Sequence, residues 1–152
     1  MITLDHTHDP AARAWLAASN AAGGDFPIQN LPFAVLRRRG SSEAFRGAVA
    51  IGDQALDLAA LQGLGLLQGT AADALHLAAQ PTLNDFMAAG PQAWRALRHA
   101  LFALLAEGAT QQEAVRACLL PLADVEYALP ARIADYTDFY TSLDHALNCM
   151  RI

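Results

Sequence analysis

Lysine is absent. All ten basic side chains among the 152 residues are arginines, which excludes Schiff-base nucleophiles and lysine acid–base chemistry from this chain. Cysteine is scarce: Cys118 and Cys149 show neither metal-ligand nor redox spacing and suit a reducing compartment. Charged residues make up only 16% and sum to −5, whereas a nucleic-acid backbone partner calls for basic excess. No apolar run approaches the roughly twenty residues that span a bilayer. No signal peptide is expected, since Met1–Pro10 carries Asp5, His6, His8 and Asp9 where a basic and then an apolar stretch is needed. The glycines between Gln62 and Gly69 are followed by no lysine and complete no Gly-x-Gly-x-x-Gly fingerprint, which excludes a phosphate loop. The expectation is a soluble, cytoplasmic protein with no nucleic-acid and no membrane partner.

What is present is largely apolar. A hydrophobic share of 54% excludes a disordered chain, and the length suits one domain with a real core. Pro10–Ser19 is Ala-rich and predicts a short helix with proline at its first position. Trp15 reads as a packing anchor. His6 and His8 alternate on an extended segment, where they fit a solvated terminus or a metal. Ala21–Gly24 reads as a flexible break.

From Phe26 the apolar period shifts towards two. Strands are predicted at Phe33–Arg37, Phe45–Ile51 and Gln54–Leu58, with turns at Arg38–Ser42 and Gly52–Asp53. Arg37–Arg39 reads as a charged edge that discourages strand pairing, with anion binding as the alternative. Short strands joined by tight turns predict a small β-barrel or curled sheet. Helices are predicted at Ala71–Gln80, capped by Thr70 and carrying a partly buried His76, and from Thr82 to Gly90 with Asp85 at the capping-box position. Pro91–Glu107 is the clearest helix, because Trp94, Leu97, Leu101, Leu104 and Leu105 recur at three- and four-residue steps. That stripe reads as core. Thr110 is placed to cap a helix over Gln111–Leu120, and Leu122–Leu129 alternates weakly as a last strand before a boundary at Pro130. The fold class is α+β.

One stretch is dense in reactive groups. From Asp135 to His145 there are three carboxylates, two tyrosines, several hydroxyls and a histidine. Carboxylates are hard ligands for Mg²⁺ or Ca²⁺, histidine accepts a proton near neutrality, and tyrosine hydroxyls orient oxygen-rich substrates. On spacing alone the stretch also fits a polar, solvated turn. Asp135, Asp138 and Asp144 cannot by themselves supply the six or so oxygens a Ca²⁺ or Mg²⁺ shell needs.

Four blocks carry a resemblance. Ile133–Ser142 with His145–Asn148, Asp25–Val35, Val49–Leu58 and Pro81–Met87 resemble the fumarylacetoacetases of the fumarylacetoacetate hydrolase family, in the family's order and at similar spacing. The resemblance runs from about Asp25 to Asn148, and its most specific part is Asp138-Phe139-Tyr140 leading to His145. It implies three segments: an N-terminal extension (1–24), an SH3-like β-barrel domain with appended short helices (25–130), and an incomplete opening segment of the catalytic β domain (131–152).

The resemblance also implies chemistry. The family hydrolyses a carbon–carbon bond of 4-fumarylacetoacetate, giving fumarate and acetoacetate at the end of tyrosine and phenylalanine breakdown. It assigns a divalent-metal ligand (Ca²⁺ or Mg²⁺) to Asp138, substrate contact to Tyr140 and the general base to His145, with a homodimer as the expected assembly. Asp135 and Tyr136 shape the loop. The family's other metal carboxylates, the partner carboxylate of the base, and the site arginine, lysine and glutamine lie downstream of this stretch. Little hydrolase activity and no tight metal binding are therefore expected of this chain alone, and residues 131–152 are expected to be unordered without partners. Leu143, Asp144 and Leu147 depart from the family pattern. Two other readings stay open: a non-catalytic module packing on a separate catalytic chain or on its own copy, and a small binding domain for an unrelated ligand.

Overall fold

The computed structural model describes residues 4–151. The first three residues and Ile152, at the tips of the two expected terminal segments, lie outside the described residues. The chain is α+β. Its sheet comprises β1 (Phe33–Arg38), β2 (Arg46–Ile51), β3 (Gln54–Asp57), β4 (Leu119–Pro121) and β5 (Val125–Ala128). All pairings are antiparallel, in the order β4-β3-β2-β1-β5.

That order forces the sheet to curl. The two outermost strands, β4 and β5, are joined through Leu122–Asp124, a single 3₁₀ turn. Pro121 and Val125 can be at most about 14 Å apart, while a flat five-stranded sheet would hold its edges about 19 Å apart. The turn also hydrogen-bonds both sides, Leu122 N to Asp53 O and Arg39 N to Asp124 O. Curling buries both faces of the strands. Leu36, Ala48, Ala55, Leu120 and Val125 fill one side. Val49, Ile51 and Leu56 join the larger core beneath the helices.

The helices are α1 (Leu58–Gly63), α2 (Gly69–Ala78), α3 (Asn84–Ala88), α4 (Gly90–Leu105), α5 (Gln112–Arg116) and α6 (Leu143–Met150). In α4, Leu97, Leu101, Leu104 and Leu105 are buried as their spacing requires, and Pro91 sits in its first turn. Trp94 departs from that stripe: it is 42% exposed and donates through Nε1 to Phe86 O at 2.7 Å. α2 lies hard against β2. Gly47 N donates to Ala79 O at 3.3 Å, and a Cβ at Gly47 would stand 1.6 Å from Ala78 O. None of the described helices is long and apolar enough to cross a membrane.

Several local expectations are corrected. α1 takes Leu58 from the predicted third strand and fills a stretch given no predicted element, because Asp57 closes β3 and then caps the helix by accepting from Ala59 N and Ala60 N, both at 3.0 Å. None of the three threonines caps a helix: the cap positions fall on Gln68, Leu83 and Gln111. Leu83 is buried and its N–H donates to Pro130 O at 2.7 Å, which sets where α3 begins. α5 stops at Arg116 because Cys118 O is taken by Asp57 N and Leu119 and Leu120 pair with β3. His76 is exposed, its Nδ1 3.1 Å from Gln62 Nε2. Arg37–Arg39 guard no edge, because β5 covers β1: Arg37 pairs with Glu126 and Arg38 with Glu43.

The Ala-rich N-terminal stretch is not an α-helix. Its backbone is claimed by the end of α4: Trp15 N donates to Leu105 O, Glu107 N to Arg13 O, and Ala14 bridges Ala106. Trp15 Nε1 adds a bond to Leu104 O at 2.9 Å, the anchoring role expected of it. Short 3₁₀ turns at His6–His8 and Ala17–Asn20 remain. His6 and His8 are exposed, yet their segment is fastened down. Thr7 is fully buried; its hydroxyl donates to Asp5 Oδ1 at 2.7 Å and accepts from Arg98 Nε at 2.9 Å. Arg98 also donates to Gln29 O at 2.7 Å.

Candidate functional site

Past Pro130 the chain leaves the sheet. Arg132 N donates to Asn84 Oδ1 at 2.8 Å and Asn84 Nδ2 to Arg132 O at 3.1 Å, which ties the exit to the start of α3. Residues 133–141 then run without helix or strand, and α6 follows. Ser142 starts α6 as its cap, accepting from His145 N at 3.4 Å, and Asp144 lies in the first turn, where a negative charge suits the helix dipole. α6 buries none of its residues. Ile133, Phe139, Leu143 and Met150 are each more than 70% exposed, so these local bonds, not burial, shape the segment.

Asp138, Tyr140 and His145 come together. With Phe139, Thr141 and Cys149 they line one open hollow of about 440 Å³. The Tyr140 and His145 rings lie 5.3 Å apart at 55°. Cys149, one helical turn beyond His145, places Sγ 3.7 Å from its Nε2. Asp135, Tyr136 and Asp144 do not line the hollow. Cys149 has no metal or redox spacing to Cys118, but its four-residue spacing from His145 on a helix is a readable signal of this contact.

The hollow can do part of a reaction. An imidazole and a phenol on one hollow can accept a proton and orient an oxygen-bearing ligand. Among the described residues no carboxylate reaches ion-pair distance of the His145 ring. A hard divalent ion does not fit these residues alone: Asp138 is the single carboxylate on the hollow, with hydroxyls at Tyr140 and Thr141, short of the six or so oxygens required.

The family model described as "Fumarylacetoacetase N-terminal" matches residues 29–130. The fumarylacetoacetase of Oryza sativa subsp. japonica is 47% identical over 135 residues, covering 85% of this chain and 32% of that protein. That of Arabidopsis thaliana is 41% identical over 128 residues, or 82% and 30% of the two chains. The Homo sapiens protein is 40% identical over 134 residues, or 84% and 31%. The chain thus spans about a third of the length of the curated relatives it matches. A family match over the whole curled sheet and helices α1 to α5, joined by identity at this level, means that the chain belongs to the fumarylacetoacetase N-terminal family.

Proposed function

We propose that this chain works as the amino-terminal part of a carbon–carbon bond hydrolase that cleaves 4-fumarylacetoacetate to fumarate and acetoacetate. The observation that carries this reading is the convergence of Asp138, Tyr140 and His145 on one hollow, within the stretch that resembles the family's motif. In this reading His145 takes a proton from the attacking water, and Tyr140 holds the substrate through its hydroxyl. Asp138 would hold one position of a divalent ion, Ca²⁺ or Mg²⁺, whose remaining ligands this hollow does not supply. The ion would supply carbonyl polarisation there.

The same reading makes the curled sheet an SH3-like barrel domain spanning 25–130, with 131–152 as the opening of the catalytic domain. It also carries a cytoplasmic location and a homodimer. A decisive experiment follows fumarylacetoacetate loss in the native gene product and in its His145→Ala variant. Removing a general base is expected to lower kcat by about 10²–10⁴-fold. Full activity in His145→Ala would sink the assignment.

A second reading is favoured by the apolar side chains that 133–150 leave uncovered: a non-catalytic module seated on a separate catalytic chain. A native product with no turnover that copurifies with such a chain, in a fixed ratio, would select it.

A further inference from the structure

We propose that Asp5, His6 and His99 form a site for a borderline divalent transition-metal ion such as Zn²⁺, which staples the amino-terminal segment to α4. The three residues come from the two ends of one packing contact. Asp5 and His6 belong to the first 3₁₀ turn and its cap, and His99 to the middle of α4. Each offers one ligand atom, and these atoms all lie within 4.8 Å of one another. His99 Nε2 is already 2.7 Å from Asp5 Oδ2. The His6 ring meets the His99 ring edge-on, with centroids 4.8 Å apart.

The donor set selects the ion class. Two imidazole nitrogens and one carboxylate oxygen suit Zn²⁺ and its neighbours, whereas Mg²⁺ and Ca²⁺ prefer all-oxygen shells. Bonds of about 2.0–2.1 Å set tetrahedral ligand atoms about 3.4 Å apart, so the cluster needs to tighten by roughly an ångström. His6 can make that movement because it is exposed. Phe102, edge-on to it at 5.5 Å, keeps its ring against α4. Asp5 and His99 are 26% and 35% exposed, open enough for an ion to enter and for water to complete the shell.

The surroundings orient the ligands. Asp5 Oδ1 is occupied by the Thr7 hydroxyl and N–H at 2.7 and 3.0 Å, which leaves Oδ2 facing His99. Thr7 is in turn held by Arg98. Such outer contacts fix ligand geometry in metal sites. His8 Nδ1 accepts the Asp5 N–H at 3.1 Å and so stays beside the site, not in it. On binding, the ion takes the place of the proton between His99 Nε2 and Asp5 Oδ2, and that proton leaves to solvent. The site shares no residue with the hollow at His145.

The test uses untagged chain titrated with Zn²⁺ by calorimetry and with Co²⁺ by visible absorption. The expected result is one equivalent bound with ligand-field bands from Co²⁺, weakened at least tenfold or so by His6→Ala and by His99→Gln and unaffected by His76→Ala. Zn²⁺ is further expected to raise the melting temperature of the parent and not of His6→Ala. No saturable binding, binding indifferent to both substitutions, or binding lost in His145→Ala instead would each overturn the proposal. Should His99→Gln fail to fold, His6→Ala decides, because its ring is exposed.

Discussion

Arg46 Nε donates to Asp57 Oδ2 at 2.5 Å, where Asp57 is 5% exposed and its other oxygen caps α1. One carboxylate therefore joins strand β2 to strand β3 and starts the following helix. Asp57→Ala strands the guanidinium and uncaps α1 together. Losing one partner of a buried pair costs about 3–5 kcal/mol. Asp57→Asn keeps an acceptor for the cap and is expected to cost less. Urea unfolding of the two variants checks the ranking.

Gly47 and Gly63 make an opposed pair. A Cβ at Gly47 would collide with Ala78 O, a backbone atom that cannot swing away, whereas one at Gly63 meets nothing within 4 Å. Gly47→Ala is expected to part β2 from α2 and abolish soluble expression. Gly63→Ala, at the end of α1, is expected to be neutral or to stabilise by up to about 1 kcal/mol. Soluble yield and thermal melts distinguish the two.

Arg98 bonds the N-terminal segment and Gln29 at once. Arg98→Met keeps its apolar stem and removes the donors. Charged hydrogen bonds of this kind are worth about 1.5–3 kcal/mol. Faster amide exchange at Thr7, Asp9 and Ala12, with little change in the sheet, is the expected signature.

Acid should weaken the fold. The Thr7 hydroxyl first, and then His99, hold the Asp5 carboxyl well below its ordinary value of 3.8. Arg38 and then Arg46 lower Glu43, and Arg37 and then the Gly40 N–H lower Glu126, both from 4.5. Depressed folded values mean that the unfolded chain binds more protons in acid. The stabilisation is therefore complete above those ordinary values and is lost as pH falls through and below them. Melting temperature is expected to stay level from neutrality to about pH 5 and then drop. In Asp5→Asn the neutral plateau should be lower and the acid drop shallower.

The sheet and α4 were readable because their signals are local. Alternation marks β1 to β3, Gly52 marks a turn taken at φ +58°, and the leucines of α4 keep helical spacing. α1 was not readable, since its cap, Asp57, falls inside the alternating stretch Gln54–Leu58 that reads as strand. The first twenty residues misled for a related reason: alanine favours helix locally, but Trp15 and Arg13 give their backbone groups to the end of α4, far along the chain. Arg98 falls off the apolar stripe of α4, and spacing carries no sign of its bonds to Thr7 and Gln29. In the candidate site, resemblance singled out Asp138, Tyr140 and His145, because spacing alone allowed a polar turn.

The placing of β1 between β2 and β5 has a consequence in time. β2 follows at once, but β5 pairs Ala128 with Val35 only after about ninety more residues have been made. At ribosomal speeds that is a wait of roughly 5–20 s. During it β1 is an open edge ending in Arg37 and Arg38, with Arg39 just beyond, and charge on an open edge disfavours pairing with other strands. In the folded molecule Arg37 and Arg38 pair with Glu126 and Glu43, and Arg39 donates to the Ala123 and Val125 carbonyls. While β5 is still unmade, their charge is expected to disfavour pairing of that edge with other chains.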